Sequence, residues 1–91
     1  MTTTKKFNIG KVAITRNTVD VLDLEDVWHC LIRHASGDWG ECTPADAAEN
    51  ELSLKEGFRV LSVYRDRDGV TFWVITEADR ENTTVLLPCD Y

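Results

Sequence analysis

The sequence predicts an α+β fold: a two-layer sandwich of element order β-α-α-β-β-β, with a mostly antiparallel four-stranded sheet and two helices on one face. Three observations predict it. Two consecutive segments repeat apolar residues at three- and four-residue steps between a capping residue and a glycine. Three later segments alternate or cluster β-formers and are joined by short polar turns. And 91 residues suffice for one core, so residues 1–91 are expected to form a single domain whose helices and strands share it.

The first expected strand is Phe7 to Thr15, with Val12 and Ile14 on one face and Gly10 marking a bulge or a close neighbour. Thr15 to Asp23 reads as a connection with room for one helical turn around Val19 and Leu22. The first helix opens at Asp23, with Glu25 and Asp26 at the positive end of its dipole and Arg33 and His34 in its last turn. Leu24, Val27, Trp28, Leu31, Ile32 and Ala35 form its apolar stripe, and Gly37 ends it. The second helix opens with Thr43 as N-cap and Pro44 at its first position, and Gly57 ends it.

Phe58 to Tyr64 is the next strand. Asp68-Gly69 marks a hairpin into Val70–Thr76, where Val70, Phe72 and Val74 point one way and Thr71, Trp73 and Ile75 the other. After a polar loop from Glu77 to Asn82, Thr83–Leu87 is the last strand, ended by Pro88.

Composition excludes several classes. The 43% hydrophobic and 29% charged fractions are those of a folded globule. A net charge of −6 disfavours direct contact with nucleic acid or an anionic membrane. Met1 to Lys6 leads into no apolar core of a leader, and no apolar run approaches the roughly 18 residues of a membrane helix. Three cysteines, Cys30, Cys42 and Cys89, with no leader in view suggest reduced thiols and a cytoplasmic protein.

The stretches Arg33-His34-Ala35-Ser36-Gly37-Asp38-Trp39-Gly40, Glu49-Asn50-Glu51 and Gly57-Phe58-Arg59-Val60-Leu61-Ser62-Val63-Tyr64 carry a resemblance, completed by Trp73-Val74-Ile75-Thr76-Glu77-Ala78-Asp79-Arg80, Thr83 to Pro88 and Tyr91. Over residues 31–91 the chain resembles small plasmid-related proteins of plasmids and integrative elements, some of them labelled as type I restriction M subunits. The resemblance implies a mobile-element setting, and through it counter-defence or plasmid maintenance. It carries no catalytic residues over, and a methyltransferase subunit would need a glycine-rich nucleotide loop that this chain lacks.

Charge is unevenly placed. From Asp20 to Glu51 there are nine acids and one arginine, so this window carries −8 and the remainder +2. The window holds both helices, which suggests an acidic layer for a basic protein partner. Glu25, Asp26, Asp38, Glu41, Glu49 and Glu51 are its candidate contacts, with Trp39 and Trp73 as aromatic anchors. The plainer reading of the same acids is solvated helix surface.

Three other constellations have weaker claims. His34, Arg59, Tyr64, Glu77 and Arg80 supply an imidazole, two cations, a phenol and an acid, which is an inventory for RNA cleavage. Cys30 and His34, four apart, with Cys42 and Cys89, have the donor types of a zinc site but no paired Cys-x-x-Cys; the same Cys–His pair is a poor nucleophile if buried. Trp73, Ile75 and Tyr64 offer a part-apolar sheet face for a homodimer. The expectation carried forward is a non-enzymatic, cofactor-free and metal-free module that binds a protein with a basic surface, such as a defence or DNA-processing complex. A small RNase and a structural homodimer are the alternatives.

Overall fold

The computed structural model describes residues 5–91. The expectation of no leader rests partly on residues 1–4, which lie outside them. The elements are β1 (Lys11–Ile14), α1 (Arg16–Val21), α2 (Leu24–Ala35), α3 (Pro44–Glu56), β2 (Val60–Arg65), β3 (Thr71–Thr76), β4 (Asn82–Leu86) and a closing 3₁₀ turn (Pro88–Asp90). They make the α+β fold that the periodicity predicts, with helices packed on a four-stranded sheet.

The sheet order is β1-β4-β3-β2. β2, β3 and β4 form an antiparallel meander, with Tyr64 opposite Phe72, Val60 opposite Thr76 and Val74 opposite Val85. β1 joins beside β4 in parallel, Ile14 opposite Val85. The hairpin between β2 and β3 is organised by Asp66, whose Oδ1 accepts from the backbone N–H groups of Asp68 and Val70, each at 2.9 Å.

Two expectations need correction. There are three helices, because the helical turn suggested near Val19 extends over residues 16–21 as α1: Thr15 accepts from the Thr18 N–H as its N-cap, and Thr18 and Leu22 are buried. The first strand is four residues long, not nine. Before it, Lys5 to Ile9 runs as a strap across the helical layer, held by Lys6 N–H to Ala35 O at 2.7 Å and by Thr83 Oγ1 donating to Ile9 O at 2.6 Å. Gly10 sits where the strap turns into β1, with φ +62, and a Cβ there would lie 2.2 Å from Glu81 O. The close neighbour suggested by the sequence is therefore the β4-side loop.

The caps of the two longer helices form as expected. Asp23 accepts from Glu25 N–H, Thr43 accepts from Asp46 N–H, and Gly57 closes α3 in the left-handed region at φ +80. The core lies between one sheet face and the first two helices. Tyr64, Phe72, Val74 and Val85 meet Leu22, Val27, Cys30 and Leu31 there. α3 is placed differently, along the outer edge of β2. Asn50 on α3 donates to Leu61 O at 2.7 Å and accepts from Leu61 N–H at 3.1 Å, replacing the strand that β2 lacks on that side.

Candidate functional site

The five residues of the RNase reading do not converge on solvent. His34 on α2 is fully buried, at 0% exposure, because it faces the sheet at the level of Ser62 and Thr76. The sequence suggested a helix-end cation; the structure shows a core residue. Its ring lies 2.6 Å from Ser62 Oγ through Nδ1 and 2.9 Å from Thr76 Oγ1 through Nε2. Thr76 Oγ1 is 2.7 Å from Thr83 Oγ1, which donates to the Ile9 carbonyl.

That carbonyl fixes the direction of the protons back to His34 Nε2, since a carbonyl only accepts. Thr83 gives its proton to Ile9, so Thr76 donates to Thr83. His34 Nε2–H must then donate to Thr76, and in the neutral ring Ser62 donates to Nδ1. The imidazole is thus a neutral Nε2–H tautomer with both nitrogens engaged. Burial, and after it the charge of Arg80, pulls its pKa down to about 4. Phe7 packs edge-on to His34 at 5.2 Å and stacks on Trp39 at 6.0 Å, sealing the site.

The other members are similarly engaged. Tyr64 is buried and donates to Asp38 O, and burial pushes its phenol well above the usual range. Arg80, in a left-handed backbone conformation, donates to the carbonyls of Phe58, Glu77 and Ser53 and lies over the Phe7 ring. The Glu77–Arg80 pairing suggested by their spacing thus runs through the backbone of Glu77 and not its carboxylate. Arg59 donates to the Tyr91 hydroxyl at 3.0 Å on the opposite sheet face. Glu77 itself is exposed at the start of the loop to β4.

The zinc set is likewise dispersed. Cys30 is buried, Cys42 donates to Leu61 O, and Cys89 is exposed on the 3₁₀ turn. Among the described residues no three His, Cys, Asp or Glu side chains gather as metal ligands. Burial raises the thiol pKa values of Cys30 and Cys42, which makes both poor nucleophiles.

Apart from Asp20, which is exposed on α1 and in no ion pair among the described residues, the acidic window divides into two classes. Asp26 is gripped by Arg67, from its guanidinium at 2.9 and 3.0 Å and its backbone N–H at 2.9 Å. These hydrogen bonds hold its carboxyl down to about 2. The same guanidinium lies 3.4 Å from Asp23 and 3.5 Å from Glu25. Asp38 pairs with Arg33 at 2.8 Å and Glu41 with Arg65 at 3.1 Å. The expected partner contacts Glu25, Asp26, Asp38 and Glu41 are therefore already opposed by arginines, two of which come from the sheet end.

α3 is the other class. Its acids Asp46, Glu49, Glu51 and Glu56 are all exposed, and among the described residues none is in an ion pair. Glu51 accepts from the Trp39 indole at 2.8 Å, which fixes the loop before α3 to the helix. At about 100° per residue, Ala45, Ala48, Glu49, Leu52 and Glu56 share the side of α3 opposite Asn50. That side is solvent-exposed, Leu52 included.

The two aromatic anchors are covered. Trp39 folds back into the core, and Trp73 is half-buried under Tyr91, 5.5 Å away. The exposed tryptophan is Trp28, which the sequence reading placed in the apolar stripe of its helix. Leu24, Trp28 and Ile32 are 52%, 62% and 41% exposed, although they lie in the predicted apolar stripe. The apolar arc of α2, with Cys30 and His34 included, spans roughly 200°. The sheet covers the half containing Val27, Cys30, Leu31 and His34 and leaves the other as a ridge. The width of that arc is the sequence signal that could have found it. No protein-family model, curated protein or solved structure matches the chain.

Proposed function

We propose that this chain is a non-enzymatic module that binds another protein, with the acidic face of α3 meeting a basic surface on its partner. The observation that carries the reading is the division of the acids. Those on α2 and in the following loop are opposed by Arg33, Arg65 and Arg67, while among the described residues Asp46, Glu49 and Glu56 on α3 meet no cation and Glu51 meets only the Trp39 indole. Free carboxylates gain most from an incoming cation, and a net charge of −6 attracts it from a distance. Leu52, amid Glu49, Glu56 and two alanines, supplies apolar area that a purely solvating helix face does not need.

The sharper form follows from the resemblance to plasmid-related proteins. The partner is then a host defence or DNA-processing complex, whose nucleic-acid groove offers the basic surface, and the module inhibits or modulates it in the cytoplasm without a cofactor. The buried, fully engaged His34 and Tyr64 lend the RNase reading no support. Affinity purification from host cells tests the proposal. A partner should co-elute with the native chain and be lost on Glu49→Lys with Glu56→Lys, and the loss should be reproduced by raising salt. Co-elution that survives the double reversal, or RNA cleavage that vanishes with Glu77→Gln, would reject it.

A further inference from the structure

The exposed ridge of α2 has a feature that a solvated helix face does not need. Trp28 forms one wall of a groove of about 190 Å³ whose other walls are Lys5, Ile9, Leu31, Ile32 and Ala35. Its wall is apolar apart from the lysine. The exposed indole borders the groove, so one patch presents both a protruding aromatic edge and an open apolar floor.

Charge is also graded along this helix. Asp23, Glu25 and Asp26 stand at its N-terminal end, where the single charge of Arg67 offsets only one of the three. Lys5 lines the groove at its C-terminal end, where Lys6 bonds Ala35 O and its side chain passes over Gly37. An isologous two-fold interface requires a patch complementary to itself. Two copies of α2 laid antiparallel about an axis near residue 30 satisfy that requirement. Trp28 of each copy then lies opposite Ile32 and Ala35 of the other, in its groove, and Glu25 of each comes opposite Ala35 and Lys5 of the other.

We propose that the Leu24–Trp28–Ile32 ridge is a homodimer interface, two copies pairing through antiparallel α2 helices. The assignment goes beyond the reading of α3, which lies on a different surface and would be displayed twice in the dimer. It also relocates the expected homodimer face, because Trp73 is capped by Tyr91. A second copy is favoured over an unrelated partner because the residual charge gradient along the ridge, acidic at Glu25 and basic at Lys5, matches its own reverse and sets Trp28 of one copy over the groove of the other.

Sedimentation and light scattering on the whole chain across concentration test this. The mass should rise from 10.3 kDa towards twice that value. Trp28→Glu should hold the chain at monomer mass with an unchanged circular-dichroism spectrum, while Trp73→Phe should leave dimerisation intact. Because Trp28 is exposed, its substitution leaves the core untouched. Lys5→Glu and Glu25→Lys should each weaken self-association, and an equimolar mixture of the two should recover it as a heterodimer. A native chain that stays monomeric to near-millimolar concentration, or a dimer indifferent to Trp28→Glu, overturns the proposal. In the monomeric case the ridge belongs to a different protein or to a lipid surface.

Discussion

His34 shows how much one side chain can decide. Its four-link polar chain, from Ser62 through His34, Thr76 and Thr83 to the carbonyl of Ile9, joins α2, three segments of sheet and the N-terminal strap. Protonating it would give the ring a second N–H and force Ser62 to reverse, besides placing a charge in the core. The pKa therefore drops to about 4, against 6.5 for a free imidazole. The unfolded chain then takes up a proton first as pH falls, so stability is complete above about 6.5 and declines until about pH 4. The loss should amount to about 3 kcal/mol. Urea denaturation at pH 7, 5.5 and 4.5 should show it, and His34→Gln should flatten the dependence while lowering stability at pH 7. Asp26 behaves in the opposite sense as an acid. Arg67 keeps it ionised down to about pH 2 in the folded state. An NMR titration of its carboxyl should return towards the ordinary carboxylate value in Arg67→Ala.

At the scale of elements, the instructive case is the edge of the sheet. β2 has no neighbouring strand on one side, yet its polar groups there are engaged. Asn50 takes both the N–H and the C=O of Leu61, and the Trp39–Glu41 backbone takes those of Val63, at 3.2 and 2.7 Å. Gly40 makes the second contact feasible, since a Cβ at this position, φ +70, would fall 2.1 Å from Val63 O. Asn50→Ala should cost about 2 kcal/mol, because two edge groups lose their partners, and should promote aggregation by exposing the edge. Thermal unfolding and turbidity would report both. Gly40→Ala should be destabilising by more than about 1 kcal/mol from its backbone conformation alone. Helix α3 is thereby explained as an element held by polar bonds at one edge, not by a buried apolar stripe, which is why it leaves Leu52 and its acids in solvent.

For the molecule as a whole, the decisive property is which charges remain available. Long-range attraction follows the net −6, whereas docking follows local pairing, and the arginines of the β2–β3 region neutralise the acids nearest to them. Reversing Glu49 and Glu56 to lysine should leave folding stability within about 0.5 kcal/mol, as is usual for exposed sites. Partner capture should nonetheless be lost, and the two measurements together separate a binding face from a structural one. Glu49 and Glu51 were legible as candidates from charge alone. Glu25, Asp26, Asp38 and Glu41 were legible as acids but not as paired acids, since Arg67 lies 41 residues from Asp26. His34 looked like a helix-end cation because its partners, Ser62 and Thr76, are 28 and 42 residues away.

Local periodicity and capping determined the two longer helices, the meander and the α+β class, because neighbouring residues along the chain carry those signals. Tertiary structure decided what is covered. α2 presents more apolar surface than the sheet and the strap can enclose, so Trp28 is left in solvent while Trp39 and His34 are enclosed. Enclosure is a competition among all the segments for one limited interior, and that competition has no local signature.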